Sequence, residues 1–173
     1  MKLTHKKPIV LERCKARSDL LRFKDNNKVL DSINKDLEKY LDTKRAKFPR
    51  FCFLSPDELI QILSESRNPH AVQPHLKKCF DNMNKIIFTE EEDSKEIIAM
   101  VSTQPEDDPE TVNFSESVMA EGPVESWMNS IQSIMQKSLY DQTKDCMLKY
   151  PENALERNEW FFIYPSQSVL VID

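Results

Sequence analysis

The sequence predicts a mainly α protein: an elongated helical bundle of long and short helices, with a small antiparallel β hairpin or meander as an insert. Three observations carry that prediction. Two long stretches, about 19–48 and 124–149, place apolar residues at helical spacing and end at prolines. Between them, three short β-branched segments are separated by acidic turns. Apolar content of 39% with 31% charged residues is the balance of a packed globular chain rather than a disordered one. The expected organisation is a helical part over about 19–88, an acidic β insert over 89–121 and a second helical part over 124–173.

Within the first helix, Phe23, Leu30 and Leu37 lie seven apart, with Ile33 and Tyr40 each three residues after a leucine. That spacing draws a narrow stripe. It fits a helix packed in a bundle better than a short coiled-coil strand, because Asn26 and Lys44 interrupt it. Pro49 cannot continue the helix and drives Phe48 toward extended backbone. The next segment, Phe51, Phe53 and Leu54, is apolar and expected to be buried. Ser55-Pro56-Asp57-Glu58 then reads as a capping box with proline at the first helical position. Leu59, Ile60, Ile62 and Leu63 supply the buried side of that helix. A break marked so firmly at both ends, without glycine, predicts a stiff corner.

Asn68-Pro69 closes the second helix and begins a one-turn piece, and Pro74 begins another helix. There Leu76, Phe80, Met83 and Ile87 share a helical face, with Cys79 and Ile86 beside it. The pattern then changes to strands at 85–89, 96–103 and 111–120, with EEEDSK and QPEDDPE as turns. Gly122-Pro123 ends the insert. Trp127, Ile131, Ile134 and Met135 begin the stripe of the second long helix, and Leu139 and Cys146 extend it until Tyr150-Pro151 stops it. The aromatic tail EWFFIYPSQSVLVID is open to two readings, a strand or a helix begun at Pro165-Ser166.

Composition also excludes functions. Gly122 is the single glycine, whereas phosphate-cradling loops need several so that backbone amides can approach the ligand. No P-loop or GxGxxG site is therefore expected in this chain. No apolar run is long enough to span a membrane. The start MKLTHKKPIVLERCK lacks a signal core, which disfavours secretion. The end, SVLVID, reads as a cut within an apolar run. Cys14, Cys52, Cys79 and Cys146 are widely spaced and fit free thiols in a reducing compartment, the last three at apolar positions. The net charge of −5 is uneven. Residues 1–50 hold 15 Lys/Arg against 7 Asp/Glu, whereas residues 90–125 hold 12 Asp/Glu against Lys95. Solvated helix and turn faces account for this more simply than steering surfaces do. Without interleaved aromatics the basic region is no nucleic-acid site.

Few constellations invite chemistry. His75 and Cys79 stand at i, i+4, with His70 one turn earlier, which is part of a zinc pattern without a second ligand pair. Acidic runs at 90–93 and 106–110 lack the alternating spacing and turn glycine of a calcium loop. His5, His70 and His75 suggest no nucleophile–base–acid set, and Trp127 and Trp160 read as core. Catalytic, cofactor-binding and metal-binding residues are accordingly none.

The run FPRFCFLSPDELIQILSESRNPHAVQPHLKKCFDNMNKI resembles the linker region of dynein heavy chains. LDTKRAKFPRF upstream, and IIAMVSTQPE, VESWMNSIQSIMQKSL and EWFFIYPSQSVLVID downstream, are similar to successive linker segments in the same order, so the likeness covers about 27–173. The form PHLKKCF is closer to axonemal than to cytoplasmic dyneins. QPEDDPE is a longer turn than the family suggests, so the hairpin tip transfers least. The resemblance implies a non-catalytic helical arm before the first AAA+ module. Such an arm lies on the AAA+ ring of its own heavy chain and bends and straightens with the nucleotide cycle. It serves a minus-end-directed microtubule motor in the ciliary axoneme, in complex with other dynein chains. ATP and magnesium would belong to the ring, with no cofactor, nucleic acid or membrane partner here. Two other classes compete, a free-standing helical protein-interaction module and a small metal-dependent enzyme. An excised piece of an arm is also expected to expose apolar surface and self-associate.

Overall fold

A computed structural model describes residues 17–65, 68–90, 94–104, 107–149, 160, 162–166 and 168–169. The chain is mainly helical, with a three-stranded antiparallel sheet between its two long helices. It divides into two units, Met1–Thr43 and Lys44–Asp173.

Helix α1, Arg17–Lys47, contains neither proline nor glycine. Asp19 in its first turn and Lys44, Arg45 and Lys47 in its last complement the helix dipole. Exposed i, i+3 pairs such as Lys39–Asp36, at 3.3 Å, add little. The predicted stripe is present, but the described residues leave it in solvent: Phe23, Leu30 and Ile33 are each more than half exposed.

In the second unit, Pro49 acts as predicted. Phe48 is extended, with φ −132°, and a 3₁₀ turn follows over Pro49–Phe53. That turn decides which aromatics are buried. Phe51 is fully buried and Leu54 nearly so, but Phe53 is exposed, against expectation. Cys52 is exposed as well. A 3₁₀ turn rotates successive residues by about a third of a circle, so one residue in three faces inward. An extended segment would have been needed to bury Phe53 beside Phe51.

The capping box at helix α2, Pro56–Ser64, is complete. The Glu58 amide donates to Ser55 Oγ, and the Ser55 amide donates to Glu58 Oε2 at 3.0 Å. Leu59 and Ile62 are buried, and Ile60 and Leu63 are partly buried. A 3₁₀ turn over Pro69–His75 leads to the single-turn α3, Leu76–Cys79, with Asn68 capping its start by accepting from the His70 amide. Here the sequence reading needs correction. The helical face through Met83 and Ile87 does not form, because Phe80 turns extended and strand β1 occupies Met83–Phe88. Apolar residues three and four apart satisfy a helical template even when β-branched neighbours such as Ile86 and Ile87 favour a strand.

Strands β2, Glu96–Ser102, and β3, Thr111–Met119, complete the sheet in the order β1-β2-β3. The outer edge of β1 is covered by one side chain. Gln73 donates its amide to the Ile86 carbonyl and accepts from the Ile86 amide at 2.8 and 3.1 Å, standing in for a neighbouring strand. On β3 the register slips by three residues between Val118, opposite Ile97, and Asn113, opposite Ala99. In the resulting bulge the Ser115 amide donates to Ser138 Oγ, and Glu116 pairs with Lys137. This bulge ties the sheet to α4, Val124–Lys149. Gly122, at φ 75°, lies between sheet and helix in the left-handed region that favours glycine.

Helix α4 occupies its predicted span and buries Trp127, Met128, Ile131 and Cys146. Its terminator, Tyr150-Pro151, lies outside the described residues. In the tail, the Ser168 and Val169 amides donate to the Pro165 carbonyl, so the chain turns helical at Pro165. Trp160, Cys146 and Val169 pack there as a small separate core.

Candidate functional site: a stiff corner of ion pairs and aromatic rings

The last turn of α1, the 3₁₀ turn after it and the start of α4 meet around Glu125. This carboxylate lies in the first turn of α4 and is 1% exposed. Lys44 Nζ approaches Glu125 Oε1 to 2.8 Å and Lys47 Nζ to 3.3 Å. Burial pushes the Glu125 acid up. The Lys44 hydrogen bond, the helix amide and Lys47 outweigh that and hold it below the ordinary carboxylate range. Glu125 Oε2 is buried and has no hydrogen-bond partner among the described residues. Asn129, one turn along, donates to both the Lys47 and Glu125 carbonyls at 2.9 Å. It thus satisfies a carbonyl that the end of α1 would otherwise leave unpaired.

The other wall is aromatic. Phe48 and Phe51 meet edge to face with centroids 4.9 Å apart, and Phe48 reaches Phe80 at 6.2 Å. Arg50 lies over the Phe80 ring at 4.9 Å, donates to Gln132 Oε1 at 3.0 Å and donates to the Cys79 carbonyl at 2.9 Å. One guanidinium therefore joins three separate pieces of chain through directional bonds. The arrangement ties the turn to α3 and α4.

Below it, Glu58 joins α2 to α3. Lys78 Nζ lies 2.6 Å from Glu58 Oε1, and His75 Nδ1 lies 3.8 Å from the same oxygen. The Lys78 hydrogen bond, followed by those from Ser55, lowers the Glu58 pKa from 4.5 to about 2. A carboxylate held below its unfolded value stabilises the fold above pH 4.5, and that contribution is lost as the pH falls toward 2. Acid denaturation of a Lys78→Met variant is expected to show a flatter pH dependence across that window than the parent chain. Ser55→Ala is expected to cost about 1 kcal/mol through the lost cap, read as a lower denaturant midpoint at constant slope.

His70 is exposed and meets the Phe88 ring at a tilt of 43°, with centroids 4.1 Å apart, His75 faces Glu58, and Cys79 is buried with its thiol pushed by burial up to about 11. No cluster of three or more His, Cys, Asp or Glu fit to hold a metal occurs among the described residues. His5 and Cys14 lie outside them, as do parts of both acidic runs. Trp127 and Trp160 are both buried, as predicted. No helix among the described residues is long and apolar enough to cross a membrane.

Sequence reasoning missed Glu125, Arg50, Gln73 and Asn129. For Glu125 a signal existed: a lysine at position 44, inside an otherwise apolar stripe, needs a carboxylate once it is buried.

The family described as dynein heavy chain, N-terminal region 2, matches residues 1–146, and the chain belongs to it. Three relatives are axonemal dynein heavy chains. The chain is 38% identical over 167 residues to dynein axonemal heavy chain 1 of Rattus norvegicus, covering 96% of this chain and 4% of that protein. It is 44% identical over 147 residues to dynein axonemal heavy chain 2 of Homo sapiens, covering 83% and 3%. Against dynein axonemal heavy chain 12 of Rattus norvegicus it is 40% identical over 172 residues, covering 99% and 5%. The chain thus spans no more than 5% of the length of these three relatives.

Proposed function

We propose that this chain is a non-catalytic lever or linker segment of an axonemal dynein heavy chain, which passes on motion made by nucleotide turnover elsewhere in the same polypeptide. The reading extends to the parent: a minus-end-directed microtubule motor of the ciliary axoneme. Its AAA+ modules, outside these residues, would bind ATP and magnesium and present the ring against which the arm works. Other dynein chains and microtubules would be partners of the parent complex.

The observation that carries the reading is the corner itself. A lever must turn the chain without a soft joint, since compliance there would absorb the stroke. At 44–55 the helix gives way at Pro49 to a 3₁₀ turn with no glycine, and the segment is tied to α4 through Glu125, Asn129 and Arg50. Glycines substituted through 51–54 in the complete heavy chain are expected to slow microtubule gliding while basal ATP turnover persists. Unchanged gliding velocity and stroke size would show that the corner carries no force.

A further inference from the structure

Glu110 stands just before β3, in the part of the insert that the sequence marks as an acidic turn. Its backbone is fixed: the Glu110 amide donates to Ser102 Oγ at 2.9 Å, and its carbonyl accepts from the Ser102 amide at 2.8 Å. Its carboxylate reaches a distant part of the chain, where Glu110 Oε1 accepts from the Ser166 amide at 2.9 Å. The position of that amide gives the contact its meaning. Pro165 begins a helical turn and has no N–H, so Ser166 carries the first free donor of the turn. A carboxylate there is favoured both as acceptor and by the local dipole. The bond lies beside a cleft of about 550 Å³ whose walls include Arg50 and Phe80 of the corner as well as Glu110 and Ser166. Two further contacts hold the same turn to α4: Thr143 Oγ1 lies 2.9 Å from Ser168 Oγ, and Tyr164 donates to Asp145 at 3.2 Å.

We infer that Glu110 is a positioning residue, and that the β insert acts as a clamp that fixes the C-terminal helical turn at Pro165 through the Glu110–Ser166 bond. The insert is then part of the force path rather than a solvated ornament on it. The mechanical half of this inference rests on the lever reading above. The structural half does not.

The test uses the complete heavy chain. Glu110→Ala is expected to speed hydrogen exchange at the Ser166, Ser168 and Val169 amides about tenfold, as loss of a charge-assisted bond to a local opening unit should. Exchange in β2 and in the middle of α4 should stay unchanged. Glu110→Gln keeps an accepting oxygen and should restore most of the protection, which a merely disrupted turn would not do. Microtubule gliding should slow with Glu110→Ala and recover with Glu110→Gln. Exchange that is unchanged in Glu110→Ala overturns the clamp whatever the gliding speed. Faster exchange with normal gliding upholds the clamp and overturns the lever reading instead.

Discussion

Replacing Glu125 by Ala is expected to destabilise the 44–173 unit by about 3–5 kcal/mol, the usual cost of removing one partner from a buried ion pair. The loss arises mostly from what remains. Lys44 is only 16% exposed in its side chain and would lose the carboxylate that meets it at 2.8 Å. Lys47, 62% exposed, can return to water and contributes less. A paired replacement by apolar residues of similar size, Lys44→Met with Glu125→Leu, should be far milder than either single change, since the attraction of a buried pair is largely offset by its desolvation. The sign with pH is fixed by direction. Glu125 is held below the ordinary carboxylate range, so its contribution is present at neutral pH and lost on acidification. Denaturant titrations of the four variants at neutral and acidic pH give the coupling energy directly. If Glu125→Ala and the double variant lose equal stability, the corner is held by packing and not by charge.

Phe51→Ala is expected to cost about 3–5 kcal/mol, against no more than about 0.5 kcal/mol for Phe53→Ala two residues on. The contrast rests on burial alone. Phe51 is fully buried and meets Phe48 edge to face at 4.9 Å, whereas Phe53 is 68% exposed. Truncating Phe51 leaves a cavity beside the Phe48 ring, which the Pro49 turn and Phe80 help to hold in place. Equal effects at the two positions would mean that the 3₁₀ turn is not kept in solution. Thermal and denaturant midpoints of the two alanine variants decide it.

The two positions also mark how far the sequence can be read. Proline at 49 and the residues at 55–58 act through bonds to their immediate neighbours, so the end of α1 and the start of α2 were legible. So was the whole span of α4, because its stripe is long and bounded by prolines. Phe51 and Phe53 look alike in the sequence, and only the choice of 3₁₀ over extended backbone separates them. Met83 and Ile87 fit a helix on spacing alone, and the strand won because it could pair with β2 along 83–88. The tail was open to two readings, and the fold selects the turn at Pro165, where Thr143, Asp145 and Glu110 provide partners from distant chain.

By itself, the sequence determined the two long helices, the capped helix after Pro49, the presence of a small antiparallel sheet and the likeness to a dynein heavy chain. These follow from local backbone preference, proline geometry and composition, all carried by residues close together in the chain. The tertiary structure alone decided which charges are buried, which aromatic faces inward and which acidic residue clamps the tail. Those outcomes depend on partners about 50–80 positions apart, as with Glu110 and Ser166 or Lys44 and Glu125, and no local pattern records such a meeting.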